Sequence, residues 1–243
     1  MDFLLHHPEM LDPKRPFAFL GAPWIHPSRT ESVTMNVTEM LPAAAIGTLD
    51  KIATFTQSYM LPISGLSTGV VTSWSNFFGL SSSGDEDPET AFEDAVHDKM
   101  FPYVSKDGIQ GLSDEAVLLM KKGEGLDRWG DWKDYDELVP RLRVALHEAG
   151  RKLHIETFFA ENDSMTGNPS TSGPLWLDKC FTEGAENDSG GDGSGSPKTI
   201  EYHRSVIPGS DHNGIWRLKF KTMERAFEMM NRGHNGNGGE ARQ

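Results

Sequence analysis

One cysteine, Cys180, stands in 243 residues. That excludes an internal disulfide framework, favours a reducing compartment and predicts a packed thiol. Basic residues are also scarce: 23 Lys and Arg face 36 Asp and Glu, a formal net charge of -13 with histidine neutral. The acids are spread along the chain, so no clustered cationic surface is available for nucleic acid or an anionic membrane. No apolar stretch has the length of a membrane span, and the FLLHHPEML that follows Met1 and Asp2 lacks the basic n-region of a secretory signal. The expectation is a soluble, cytoplasmic protein. Without a signal, the three N-x-S/T sequons at Asn36, Asn162 and Asn187 read as chance. There is no internal repeat. What is present, 37% hydrophobic and 24% charged residues, is ordinary globular composition, enough to bury the core of one large domain or two small ones.

The hydrophobic pattern divides the chain. Phe17 to Leu20 form a short apolar run stopped by Gly21 and Pro23, the punctuation of a buried strand running into a loop. From about Val33 to Pro140 the pattern turns helical, in segments broken by Pro and Gly, with no strand alternation. SSSGDEDPET reads as an acidic loop before a helix, and Ser113 with Asp114 and Glu115 reads as a second helix start. Gly150 closes a helix, after which Leu153, Ile155, Phe158 and Phe159 supply a second strand. GAENDSGGDGSGS, residues 184–196, is too polar and glycine-rich to order itself and reads as a flexible insert. Ile200, Tyr202 and Val206 alternate as a third strand. Trp216, Phe220, Met223, Phe227 and Met230 then follow at steps of four and three, one apolar stripe expected to pack in the core. The expected organisation is an α/β protein: 1–32 with the first strand, 33–140 a helical cap, 141–233 a core with two strands, and 234–243 a disordered tail.

Two residues stand where chemistry is carried out in such folds. Asp163 in FFAENDSMTG and His212 in GSDHNGIW each follow a strand, 49 positions apart (212 minus 163). A carboxylate that fixes an imidazole tautomer, and an imidazole that removes a hydroxyl proton, must both sit on loops that a rigid sheet aims at one point. On their own, an Asp and a His at this spacing would be ordinary solvated loop residues; their shared position after strand ends sets them apart.

With HHPEMLDPKRPFAFLGAPWIHPS, WGDWKDYDELVPRL, GPLWLDKCF and the two segments above, the chain resembles, over nearly its whole length, the C-terminal part of the α/β-hydrolase family, most closely its fungal members. There a helical cap is inserted after the strand that follows the nucleophile strand, and the triad runs Ser, acid, His along the chain. The resemblance implies that Asp163 is the acid and His212 the base of a serine esterase-like hydrolase without a cofactor. Such a hydrolase would act on an ester, lactone or amide of a small apolar substrate. It also implies that the nucleophile elbow, the oxyanion loop and five strands would precede Met1, so that the chain alone is inactive, exposes an apolar strand edge, and has an N-terminal half as its partner. The other class of function open to it is a non-catalytic remnant, or a binding protein that uses the helical cap.

Ser67 lies in a G-x-S-x-G string, Gly65 to Gly69, yet reads as a decoy. An elbow needs an apolar strand entering it, and here Pro62 stands three residues before Gly65 with only one clear strand upstream. His6 and His7 beside Glu9, and His26 near Trp24, match no metal spacing. Trp129, Trp132 and Tyr135 are compatible with a substrate channel but read better as packing.

Overall fold

A computed structural model describes residues 1–48, 88–107, 110–125, 130, 134–183 and 199–235. Ser67, Trp129, Trp132, the 184–196 insert and the tail beyond Asn235 lie outside the described residues. The chain is mixed α/β: α1 (Asp2–His6), β1 (Phe17–Gly21), α2 (Val33–Met40), α3 (Ala43–Ile46), α4 (Pro88–Asp107), α5 (Gln110–Leu119), α6 (Tyr135–Glu148), β2 (Leu153–Ala160), α7 (Ser172–Thr182), β3 (Ile200–Ile207) and α8 (Thr222–Asn235). It divides into two compact units. One comprises Met1–Glu31, Gly130–Trp216 and Phe220–Gln243; the other, Ser32–Trp129 with Arg217–Lys219.

The first unit is built on a parallel sheet in the order β1-β2-β3. β2, LHIETFFA, is the central strand and buries all its residues except His154. A nearly unbroken apolar run is what a parallel strand covered on both sides requires. The register aligns Phe19 with Glu156 and Glu156 with His203. Alternation therefore assigns Leu153, Ile155, Phe159, Ile200 and Tyr202 to one face, and Phe17, Phe19, Glu156, Phe158 and His203 to the other. The first, inner face packs against Leu138, Val139, Leu142 and Leu146 of α6 and Leu177 and Phe181 of α7. The apolar spacing of α6 matches its period. Gly150, at φ +62, ends α6: its N–H bonds to the His147 carbonyl and that of Arg151 to the Leu146 carbonyl, the paired closure of a left-handed glycine cap. Pro140 lies inside this helix.

The second unit is helical among its described residues. Ser32 caps α2 through the Met35 N–H at 3.3 Å, and Met35, Ile46 and Met120 are buried. Ser113 does not start α5. The helix begins at Gln110, and Ser113 sits buried inside it, so the polar triplet that reads as a cap is interior to an element already under way.

The apolar stripe of the last helix departs from expectation. α8 begins only at Thr222, so Trp216 and Phe220 lie before it and share no helical phase with it. Thr222 donates its hydroxyl to the Ile215 carbonyl at 2.6 Å, and the small Ala226 packs against Phe158, Ala160 and Ile207. That contact turns Met223 and Phe227 outward, 47% and 53% exposed. α8 also extends through His234 and Asn235, two residues into the stretch read as tail.

Candidate active site

Beyond Ala160 and Ile207 the two strand ends stay laced together by successive cross-links. The Glu161 N–H bonds to the Ile207 carbonyl and the Asn162 N–H to the Ser210 carbonyl at 2.9 Å. The Gly209 N–H donates to the Glu161 carboxylate at 2.8 Å, where Gly209 takes φ +72 to turn the loop. Ser210, fully buried, anchors its hydroxyl on the Ile207 carbonyl at 2.7 Å. The loops carrying Asp163 and His212 are thus extensions of one parallel ladder.

That lacing brings the two candidates together. His212 Nδ1 lies 2.8 Å from Asp163 Oδ2. The other carboxylate oxygen, Oδ1, accepts the backbone N–H groups of Met165 and Thr166, each at 2.8 Å. An Asp followed by two residues whose amides fold back on it is the local turn chemistry of that side chain, and NDSMT supplies it. Burial alone would push the Asp163 carboxyl up. The His212 hydrogen bond and charge and the Thr166 amide outweigh burial and hold it below the usual carboxylate range. An ionised carboxylate only accepts hydrogen bonds, so Nδ1 carries a proton, and in the neutral ring the lone pair falls on Nε2. The Asp163 side chain is 2% exposed and that of His212 17%. The histidine is the member that a reactant can reach.

A second layer supports the acid loop. A Cβ on Gly173, at the start of α7, would lie 2.8 Å from the Thr166 carbonyl oxygen and 3.1 Å from the Thr30 methyl. Only glycine lets α7 approach that closely. On the histidine side, the Gly214 N–H bonds to Asp211 at 2.6 Å. The Trp216 ring lies across Gly21, where a Cβ would fall 2.0 Å from it. Met165, Thr166, Ser210 and Gly173 do not emerge from the sequence as site residues. The turn formed by Met165 and Thr166 is readable from NDSMT; Gly173 is not, because its role depends on a contact with Thr30, 143 positions away (173 minus 30).

The remaining candidates are scattered. His6 is exposed, and exposed His7 lies 3.2 Å from neighbouring Glu9. His26 is buried and caps a short turn, its Nδ1 accepting the Ser28 N–H at 3.3 Å. Among the described residues no group of three or more His, Cys, Asp or Glu is disposed to hold a metal ion. Tyr135 packs, partly buried, against Trp176 and Phe181, and loss of water around its phenol pushes it up to about 12. Cys180 is a half-buried free thiol packed against the inner core, and burial pushes it up to about 12. That is a packed thiol and not an activated one. No described helix is long and apolar enough to cross a membrane. Comparison with protein-family models, curated proteins and solved structures returns no match.

Proposed function

We propose that Asp163 and His212 are the acid and base of an α/β-hydrolase-type serine hydrolase, with the nucleophile and oxyanion donors supplied by a polypeptide segment N-terminal to this one. The observation that carries the reading is the 2.8 Å contact of His212 Nδ1 with a carboxylate that two backbone amides hold in place. In the complete site, His212 Nε2 takes the proton from the serine hydroxyl as its oxygen bonds to the substrate carbonyl carbon. Asp163 stabilises the imidazolium so formed. The same nitrogen returns the proton to the departing alcohol or amine, then activates water to release the acid. A neutral ester, lactone or amide suits a chain of net charge -13, which repels anions. The lone packed thiol suits a reducing compartment such as the cytoplasm.

β1 pairs only with β2 among the described residues, and its five residues carry no proline or charge to block further pairing. A parallel strand added at that edge would end on the same side as Asp163 and His212, where a nucleophile is needed.

A fluorophosphonate probe tests this. The purified chain alone should remain unlabelled, Ser67 included. Coexpressed with the polypeptide encoded upstream of Met1, a serine in that segment should label, and His212→Ala should slow labelling by roughly a thousandfold or more. Labelling of the lone chain that is lost on Ser67→Ala would overturn the reading. So would an upstream sequence with no G-x-S-x-G code together with a monomeric, cooperatively folded 243-residue protein, which would make a binding protein the better account.

A further inference from the structure

The outer face of the sheet is covered unevenly. Toward the carboxyl ends of the strands, Phe158, Ala160 and Ile207 are buried under α8. Toward the amino ends a groove of about 400 Å³ lies open, with Met229 of α8 at its side and Phe17, Phe19, His154, Glu156, His203 and Ser205 of the sheet facing it. That volume falls within the range of small-molecule sites.

The chemistry of the groove is one-sided. Glu156 is 8% exposed, and the one donor described for it is the neutral Ser205 hydroxyl, at 2.6 Å. Beside it Glu201 lies 2.9 Å from His154 Nδ1 and 3.1 Å from His203 Nε2. Arg204 alternates to the inner face, where its guanidinium pairs with Asp178 and the Pro169 carbonyl over the Phe159 ring. It therefore does not neutralise Glu156. Among the described residues lining the groove, Glu156 is the one carboxylate, and Arg204, which also borders it, turns its guanidinium to the opposite face. Phe17 and Phe19 stack at 6.1 Å with their planes 10° apart, presenting an aromatic surface beside the acids.

A carboxylate taken out of water needs a counter-charge, and aromatic faces attract cations. We propose that this groove binds an organic cation, an ammonium or guanidinium group on an apolar stem, with Glu156 as its anchor and Phe17 and Phe19 against the stem. An anion would meet Glu156, whose described partner is the neutral Ser205 hydroxyl. A wholly apolar occupant would seal the Glu156 charge away from water. The same chemistry is available from a free alkyl amine or from a Lys or Arg side chain of a partner protein. The inference does not rest on the hydrolase reading, since none of these residues belongs to the Asp163–His212 site.

Titration of the isotope-labelled 243-residue chain at pH 8, followed by NMR, tests it with three probes: n-hexylamine, n-hexanol, and a short amphipathic helical peptide with a single arginine, paired with its norleucine counterpart. Hexylamine should shift the resonances of Phe17, Phe19, His154 and His203 saturably, leave those of His212 in place, and bind at least about tenfold tighter than hexanol. Glu156→Gln should abolish that difference. An arginine peptide that binds more tightly than both hexylamine and the norleucine peptide identifies a partner's side chain as the source; weaker binding identifies a free amine. Equal binding of amine and alcohol, or shifts that map elsewhere, would overturn the proposal. Should Glu156→Gln lose its dispersed spectrum, the amine-to-alcohol ratio and the shift map on the unmodified chain decide alone.

Discussion

The two faces of the sheet are made from the same three strands and end in different states. On the inner face, α6 and α7 bury Leu153, Ile155, Phe159 and Ile200 to 2% exposure or less. Behind them the Tyr202 hydroxyl and Arg204 converge on Asp178, pinning α7 to β3. On the outer face only the carboxyl ends are covered, while the amino ends carry Phe17 and Phe19 half-exposed beside histidines and glutamates. The closed face holds the loops in place, and the open one offers a surface to something else. The Asp163–His212 pair sits at the end of the sheet where both faces are covered, which is where a fixed geometry can be held.

The largest contrast should come from matched truncations of the two faces. Phe159→Ala on the inner face should lower the unfolding free energy by about 3–5 kcal/mol, whereas Phe19→Ala at the open groove should cost only about 1 kcal/mol. Urea unfolding of the two variants gives the comparison, and equal losses would mean that the outer face is as closed as the inner.

Next in size is Gly173→Ala, which drives a methyl into the Thr166 carbonyl and the Thr30 methyl. A loss of about 1–3 kcal/mol is expected. Because Thr166 holds Asp163, the downfield Nδ1 proton of His212 should also move in the proton spectrum. Unchanged stability with an unmoved proton would show that α7 has room to shift without the acid loop.

Acid titration of stability separates two carboxylates, buried Asp163 and partly buried Asp178, by sign. Asp163 has its pKa lowered in the fold, so its contribution is fully present above the unfolded carboxylate value near 3.9 and is lost as pH falls through the lower folded value. Asp163→Asn should flatten that acid-side loss. Asp178 is the reverse: burial outweighs its bonds to Tyr202 and Arg204 and raises its pKa. Stability therefore falls as pH rises from the unfolded value through the folded one, and Asp178→Asn should remove that decline. Unfolding curves collected between about pH 3 and 6 resolve the two slopes. Slopes of the same sign would contradict the difference in environment.

The smallest effect is expected on the exposed flank of α8. Phe227→Ser should change stability by no more than about 0.5 kcal/mol, because Ala226, not Phe227, packs the helix against the sheet. A loss comparable with that of Phe159→Ala would restore the apolar stripe to the core.

The features legible in the sequence are local. The runs FAFLG, LHIETFFA and IEYHRSVI are strands because their apolar patterns are short and stopped by turn residues. Gly150 ends α6 because φ +62 suits a residue without a side chain. Asp163 and His212 stood out because each follows a strand closely. Which neighbour each pattern meets depends on the packing of segments distant along the chain. Met223 and Phe227 share their periodicity with core residues, but burial depends on what packs opposite, and the small Ala226 sets the face that α8 presents. Ser113 has the composition of a cap, yet the preceding turn was already helical. Glu161, Asp163 and Asp211 are all acids in the paired loops; Asp163 meets His212 because Glu161 is engaged by the Gly209 amide and Asp211 by that of Gly214. Gly173 matters through a contact with residues distant in sequence. Hydrogen bonding and burial are properties of pairs, and a pair exists only once the chain has folded.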